Sequence, residues 1–181
     1  YIGCAGGGGW EFTRRFAQEV VVKETESWAI EIKGLAGGHS GIQTHQQLGN
    51  AVKLLAEYLR EVDGLRLAAI DVGIAHNVIP REGRVEFCCP AGRGDQLQAL
   101  LRQCMQRWHE YLPAADQDVS LSLHPATLVE ALDEVDSRRV LDLAAAFPHG
   151  AQAYSLAQPA DLVDLSINLA ILRLDAGELF L

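Results

Sequence analysis

Trp28-Ala29-Ile30-Glu31-Ile32-Lys33, followed at once by Gly34-Leu35-Ala36-Gly37-Gly38-His39-Ser40-Gly41, decides how the rest of the chain is read. The first string alternates apolar and polar residues with period two, as a half-buried strand does. In the second, four of eight residues are glycine, which predicts positive φ angles or close backbone approach. A helix is expected next, over residues 44–62. There Leu48, Ala51, Val52, Leu55, Ala56, Leu59 and Val62 recur at three- and four-residue steps, and Asp63-Gly64 ends the pattern.

Upstream, residues 17–25 contain Val20-Val21-Val22 and read as a partner strand. Downstream, residues 65–72 and 84–89 read as two strands joined by the loop 73–83, in which Pro80 marks a strand edge because it has no N–H for a ladder. Asp95 with Gln98 three residues on resembles a capping box. The stripe Leu97, Leu100, Leu101, Cys104, Met105 and Trp108 then predicts a helix that stops at Pro113. Residues 119–123 alternate again. Strand, helix, strand, strand, helix, strand is the order of a ferredoxin-like two-layer sandwich, an α+β fold with helices on one face of an antiparallel sheet.

Beyond residue 125 a third helix is expected over 136–146, capped by Asp136 and followed by Pro148. Strands are expected over 151–156, 162–174 and 178–181, with Asp175-Ala176-Gly177 as a hairpin turn. This tail repeats the strand-strand half of a sandwich. A closing helix is therefore expected beyond Leu181, since the hairpin would otherwise expose an apolar face and a free edge. The expected organisation is a crossing segment over 1–16, a complete sandwich over 17–125, and a truncated second α/β subdomain over 126–181. With no initiator Met and a strand-like end, Glu178-Leu179-Phe180-Leu181, the chain is expected to be an internal piece of a longer polypeptide.

Composition narrows the function classes. The 181 residues are 49% apolar and 22% charged, and 24 acidic against 15 basic residues give a net charge of -9. Lys and Arg are scattered, so no basic stripe exists to neutralise phosphates, and nucleic acid is not an expected partner. Apolar runs are far shorter than the roughly 20 residues a bilayer requires, so no membrane partner is expected. Cys4, Cys88, Cys89 and Cys104 show no C-x-x-C spacing. Reduced thiols in a cytoplasmic protein are the expectation.

The chain has six histidines but no H-E-x-x-H and no Cys/His pair at zinc spacing, so no metal ligand is assigned to it. His39 stands on a loop stripped of neighbouring bulk between a strand and a helix start. There an imidazole can donate to a developing oxyanion or accept a proton. A glycine-rich turn with an incidental histidine explains the same string equally well. Asn77, ahead of Val78-Ile79-Pro80-Arg81-Glu82, can hold a peptide carbonyl or carboxylate, although Asn before a short strand is more often a turn former. Arg81-Glu82 reads as a surface pair. His109 reads as a surface or boundary residue, and His124 and His149, next to prolines in loops, carry no expected role. The glycine run Gly6 to Gly9 has no following Lys-Ser/Thr and reads as a linker rather than a phosphate loop.

Several strings taken in order resemble one family: Tyr1-Ile2-Gly3-Cys4-Ala5-Gly6-Gly7; Lys33-Gly34-Leu35-Ala36-Gly37-Gly38-His39-Ser40-Gly41; His45 with Leu48-Gly49-Asn50-Ala51 and Lys53-Leu54-Leu55; Asn77-Val78-Ile79-Pro80-Arg81-Glu82; and Leu165-Ser166-Ile167-Asn168-Leu169. Together they resemble the bacterial aminoacyl-histidine (Xaa-His, cytosol non-specific) dipeptidases, within the dinuclear zinc peptidase superfamily that includes carnosinase and glutamate carboxypeptidase. The Gly6 to Gly9 run before Trp10, and Gln158-Pro159, depart from the family pattern.

The resemblance implies a parent enzyme with a catalytic domain holding two zinc ions and an inserted lid, or dimerisation, domain, of which this chain is the larger part. Residues 1–16 would cross from that catalytic domain. His39 matches a lid histidine that polarises the scissile carbonyl, in several dimeric members across the subunit interface. Asn77 matches an asparagine that contacts the substrate backbone or carboxylate. The implied partners are a dipeptide such as Xaa-His and a second copy. The other reading is an association module with no part in the chemistry.

Overall fold

A computed structural model describes residues 6–156 and 162–181. The string Tyr1-Ile2-Gly3-Cys4-Ala5 and Gln158-Pro159 lie outside the described residues. Within them the strands are β1 (Thr13–Arg15), β2 (Glu19–Val20), β3 (Thr25–Lys33), β4 (Gly38–His39), β5 (Arg66–Val72), β6 (Val78–Ile79), β7 (Gly83–Pro90), β8 (Ser120–Pro125), β9 (Glu130–Ala131), β10 (Gly150–Tyr154), β11 (Val163–Ile167), β12 (Leu172–Asp175) and β13 (Glu178–Phe180). The α-helices are α1 (Ala51–Arg60), α2 (Gly94–Tyr111) and α3 (Glu134–Ala146).

Four strands form the expected sandwich in spatial order β8, β3, β7, β5, every neighbour antiparallel. Alternation sorts the two faces of this sheet. Ile30, Ile32, Leu67, Ile70, Val85 and Phe87 turn into the core with Tyr58, Leu97, Cys104 and Trp108 from the helices. Glu31, Arg84 and Glu86 lie on the opposite face, where Arg84 pairs with Glu31 across strands and with Glu86 along its own strand. Each fully buried large side chain of this set contributes about 1.5–3 kcal/mol.

The tail corrects the expectation of a second subdomain. β12 pairs with β5, β13 with β12 and β1 with β13, so one antiparallel sheet of seven strands runs β1, β13, β12, β5, β7, β3, β8. Leu172, Leu174 and Leu179 join the same core as the first sandwich. The cause is the unpaired side of β5, whose backbone groups need partners. α3 packs beside α1 and over β5, with Ser137 Oγ accepting the Leu67 N–H at 2.8 Å and donating to Asp133 O at 2.6 Å. The covering helix thus precedes the hairpin. The far edge of β13 is closed by β1, which belongs to the expected crossing segment.

Local boundaries also move. The expected helix over 44–62 breaks into a single 3-10 turn, Thr44–Gln46, and α1, because Asn50 caps the helix by accepting from the Val52 and Lys53 N–H groups. Asp133, not Asp136, caps α3. α2 starts at Gly94 with no side-chain cap, leaving Asp95 inside its first turn. Residues 17–25 give β2, which pairs with β9 rather than β3, and the first residue of β3. The expected strand over 162–174 is interrupted at 168–171. Its first part, β11, pairs with β10 as a separate hairpin. Cys88, Cys89 and Cys104 are free and buried, and burial pushes all three thiols up from their ordinary value, Cys89 to about 11.

Candidate functional site

The glycine-rich loop leaves β3 at Gly34 and turns back at Gly37, with φ of +85° and +62° respectively, conformations that L side chains rarely adopt. It then runs as β4 against β6, His39 opposite Val78, and the Ser40 N–H donates to Asn77 O at 3.0 Å. The two loops singled out in the sequence are therefore edge to edge. His39 and Asn77 are both exposed, on adjacent segments of one small ladder.

A tight turn holds His39. Its N–H donates to Gln43 Oε1 at 2.8 Å, and its carbonyl accepts from the Ile42 and Gln43 N–H groups at 3.2 and 2.8 Å. The Gly41 N–H donates to His39 Nδ1 at 3.1 Å. A backbone N–H can only donate, so Nδ1 supplies the lone pair and a neutral ring carries its proton on Nε2. Glycine at position 41 keeps that side of the ring clear, since an added Cβ would come into contact with it at 3.4 Å. The arrangement presents one N–H donor to solvent, suited to an anionic or developing negative oxygen.

The support for this loop converges on the start of α1. Asp116, wholly buried, accepts the Ala36 N–H at 2.8 Å and the Gly49 N–H at 2.6 Å. Asn50 Nδ2 donates to Leu169 O at 2.9 Å and lies 3.2 Å from His149 Nδ1, while the Ala51 N–H donates to Pro80 O at 2.8 Å. Three consecutive residues therefore tie together the glycine loop, the loop after Asn77 and the segment after β11. Asn168 adds a clamp, its Nδ2 donating to Val78 O at 2.9 Å and His76 O at 3.1 Å.

His149 has a structural role that its loop position hides. Its Nδ1 accepts from Asn50 Nδ2 and from the Leu169 N–H at 3.4 Å. Burial first and the neighbouring Lys53 charge second push its pKa down to about 4, so it stays neutral above that pH. Lys53 Nζ donates to Ala144 O and Ala145 O, each at 2.8 Å, and to Phe147 O. That ammonium satisfies carbonyls at the C-terminus of α3 that the helix itself leaves open. Burial lowers the Lys53 pKa.

Asn50 was detectable in the sequence, since Asn directly before an apolar helical run is a cap signal. Asp116 was not: its partners lie 80 and 67 residues away, and nothing near Pro113 marks it. Arg81 Nε sits 4.0 Å from Glu82 Oε1 with both side chains half exposed, the expected surface pair. His45 is exposed on the 3-10 turn. Among the described residues no three His, Cys, Asp or Glu side chains gather where they could hold a metal ion. The zinc pair implied by the resemblance therefore has no ligand set among the described residues.

Comparison with known proteins follows the same lines. Residues 30–116 match the family model described as a peptidase dimerisation domain. Over 127 residues the chain is 35% identical to the cytosol non-specific dipeptidase of Escherichia coli (strain K12), covering 68% of this chain and 26% of that protein. The crystal structure of aminoacylhistidine dipeptidase from Vibrio alginolyticus superposes with a TM-score of 0.87 at 26% identity, over 94% of this chain and 35% of that one. The chain thus spans about a quarter to a third of the length of these relatives.

Proposed function

The chain belongs to the peptidase dimerisation-domain family, and from that premise we propose that it is the lid and dimerisation portion of a longer zinc-dependent dipeptidase, cytoplasmic and homodimeric, which hydrolyses dipeptides such as Xaa-His. Within that enzyme His39 donates its Nε2–H to the oxygen of the scissile carbonyl as negative charge develops there. Asn77, one strand away, holds the substrate backbone or carboxylate. The two zinc ions and the general base belong to the part of the longer protein outside this chain, so the chain alone is inactive.

The observation that carries this reading is the Gly41 N–H bond to His39 Nδ1, which leaves Nε2–H as an outward donor. An incidental turn histidine has no need of a fixed tautomer. Dimerisation is supported by the family description and by the open edge strand β8, flanked by α2, where a second copy has backbone groups to pair with.

The decisive experiment is His39→Ala in the full-length enzyme. The expected loss is about a hundred- to thousand-fold in kcat, the usual effect of deleting one oxyanion donor, with zinc content unchanged. An unchanged kcat removes the proposed role and leaves the association module. Whether His39 acts across the interface is read by mixing His39→Ala protein with a variant disabled in its zinc ligands. Recovered activity in the mixed dimer supports action in trans, and its absence refutes it.

A further inference from the structure

Asn168 makes contacts that the family reading of His39 and Asn77 does not use. It sits where β11 breaks off before β12, and its side-chain nitrogen donates to His76 O at 3.1 Å and Val78 O at 2.9 Å, the carbonyls on either side of Asn77. The intervening carbonyl, that of Asn77 itself, accepts from the Ser40 N–H. Three successive carbonyls are therefore held by fixed donors, two of them by one amide group. The amide cannot be turned over, because its oxygen would then face two carbonyl oxygens with no hydrogen between them. Asn168 Oδ1 is buried with no partner among the described residues, so the side chain bonds there through its N–H groups.

We propose that Asn168 is the positioning residue of the substrate-contact loop: by gripping the peptide units on both sides of Asn77 it fixes the backbone there and so aims the exposed Asn77 amide at the substrate. This rests on the reading of Asn77 as a substrate contact. The side chain of Asn77 is exposed, and loops held only by their ends are mobile. A contact made from such a loop gains strength when the backbone is fixed beforehand, since less freedom is lost on binding. Asp at 168 would remove both donors and set a negative charge against two carbonyls. Leu would remove the donors and keep the approximate volume.

The test is a double-mutant cycle in the full-length enzyme with a dipeptide substrate. Asn77→Ala is expected to lower kcat/KM about tenfold, the value of one hydrogen bond to substrate. Asn168→Leu is expected to fall to a similar level, and the double variant to be no worse than Asn77→Ala alone, because Asn168 acts through Asn77. Additive losses, or an Asn168→Leu variant equal to the parent, overturn the proposal while leaving Asn77 a substrate contact. An unaffected Asn77→Ala overturns the Asn77 reading and the proposal with it. Should Asn168→Leu fail to fold, Asn168→Ser takes its place in the same cycle, read against the same two outcomes.

Discussion

Replacing Asp116 by Ala is the sharpest test of how the glycine loop is held. The side chain is wholly buried and accepts two backbone N–H groups, from Ala36 at 2.8 Å and Gly49 at 2.6 Å. Hydrogen bonds to a charged group contribute about 1.5–3 kcal/mol each, so two are worth about 3–6 kcal/mol. Removing a buried carboxylate also removes its desolvation cost, which offsets part of the loss. A net destabilisation of about 3 kcal/mol is expected, and for a unit of this length that lowers Tm by about 6–12 °C. Asp116→Asn should fall between parent and Ala, since an amide oxygen can keep one N–H while the amide nitrogen faces the other. Calorimetry or urea unfolding of the three proteins at pH 7 reads the series. An Ala variant within about 0.5 kcal/mol of the parent would show that Asp116 does not anchor the loop.

Two further predictions concern the same region. His149, at about 4 in the folded chain against about 6.5 unfolded, leaves the unfolded chain binding a proton that the native chain refuses. Stability therefore falls as pH drops from about 6.5 to about 4, by about 3 kcal/mol in total. His149→Gln should lose that part of the slope, and equal pH dependence in urea unfolding of parent and variant would sink the assignment. Gly34→Ala forces a Cβ to 2.1 Å from Asp118 O at a φ of +85°, an overlap with backbone that no rotamer relieves. A loss of more than about 3 kcal/mol is expected, and a Tm unchanged from the parent would contradict that turn geometry.

The sandwich was legible because its signals are local. Period-two alternation in residues 28–33 and the apolar stripes of residues 51–62 and 97–108 need no knowledge of distant partners. The fate of the tail was not legible in that way. Leu172, Arg173 and Leu174 alternate as any half-buried strand does, and alternation says which face is buried but not which edge it joins. That β12 completes β5, and that β1 closes β13, depends on contacts between residues far apart in the chain. The site divides along the same line. The glycine loop announces His39 and the string after Asn77 announces that residue, whereas their pairing and the anchors Asp116, His149 and Asn168 are brought together by sheet order and helix packing.

The exposure of His39 bears directly on what the chain can contribute. An N–H donor standing in water loses much of its attraction for a developing oxyanion, because solvent screens the charge and competes for the bond. A hundred-fold effect on kcat therefore demands that another surface close over the loop and exclude water. Under the proposed role, that surface would have to arrive without deforming the turn that fixes the tautomer, and the bonds of Asp116 to Ala36 and Gly49 lie behind that turn rather than on the imidazole. A loop anchored at Ala36 by Asp116 and coupled through Ser40 to a clamped neighbour moves as part of the sheet and helix layer. If the chain acts as the proposed lid, it would deliver its donor by moving as a whole, and its contribution would depend on the fit between two preformed surfaces. On this argument, substitutions behind the loop such as Asp116→Ala should lower kcat in the full-length enzyme even where the protein remains folded at the assay temperature, although Asp116 touches no substrate. An Asp116→Ala enzyme that is folded, less stable and fully active would show that the loop finds its geometry only when the second surface closes on it.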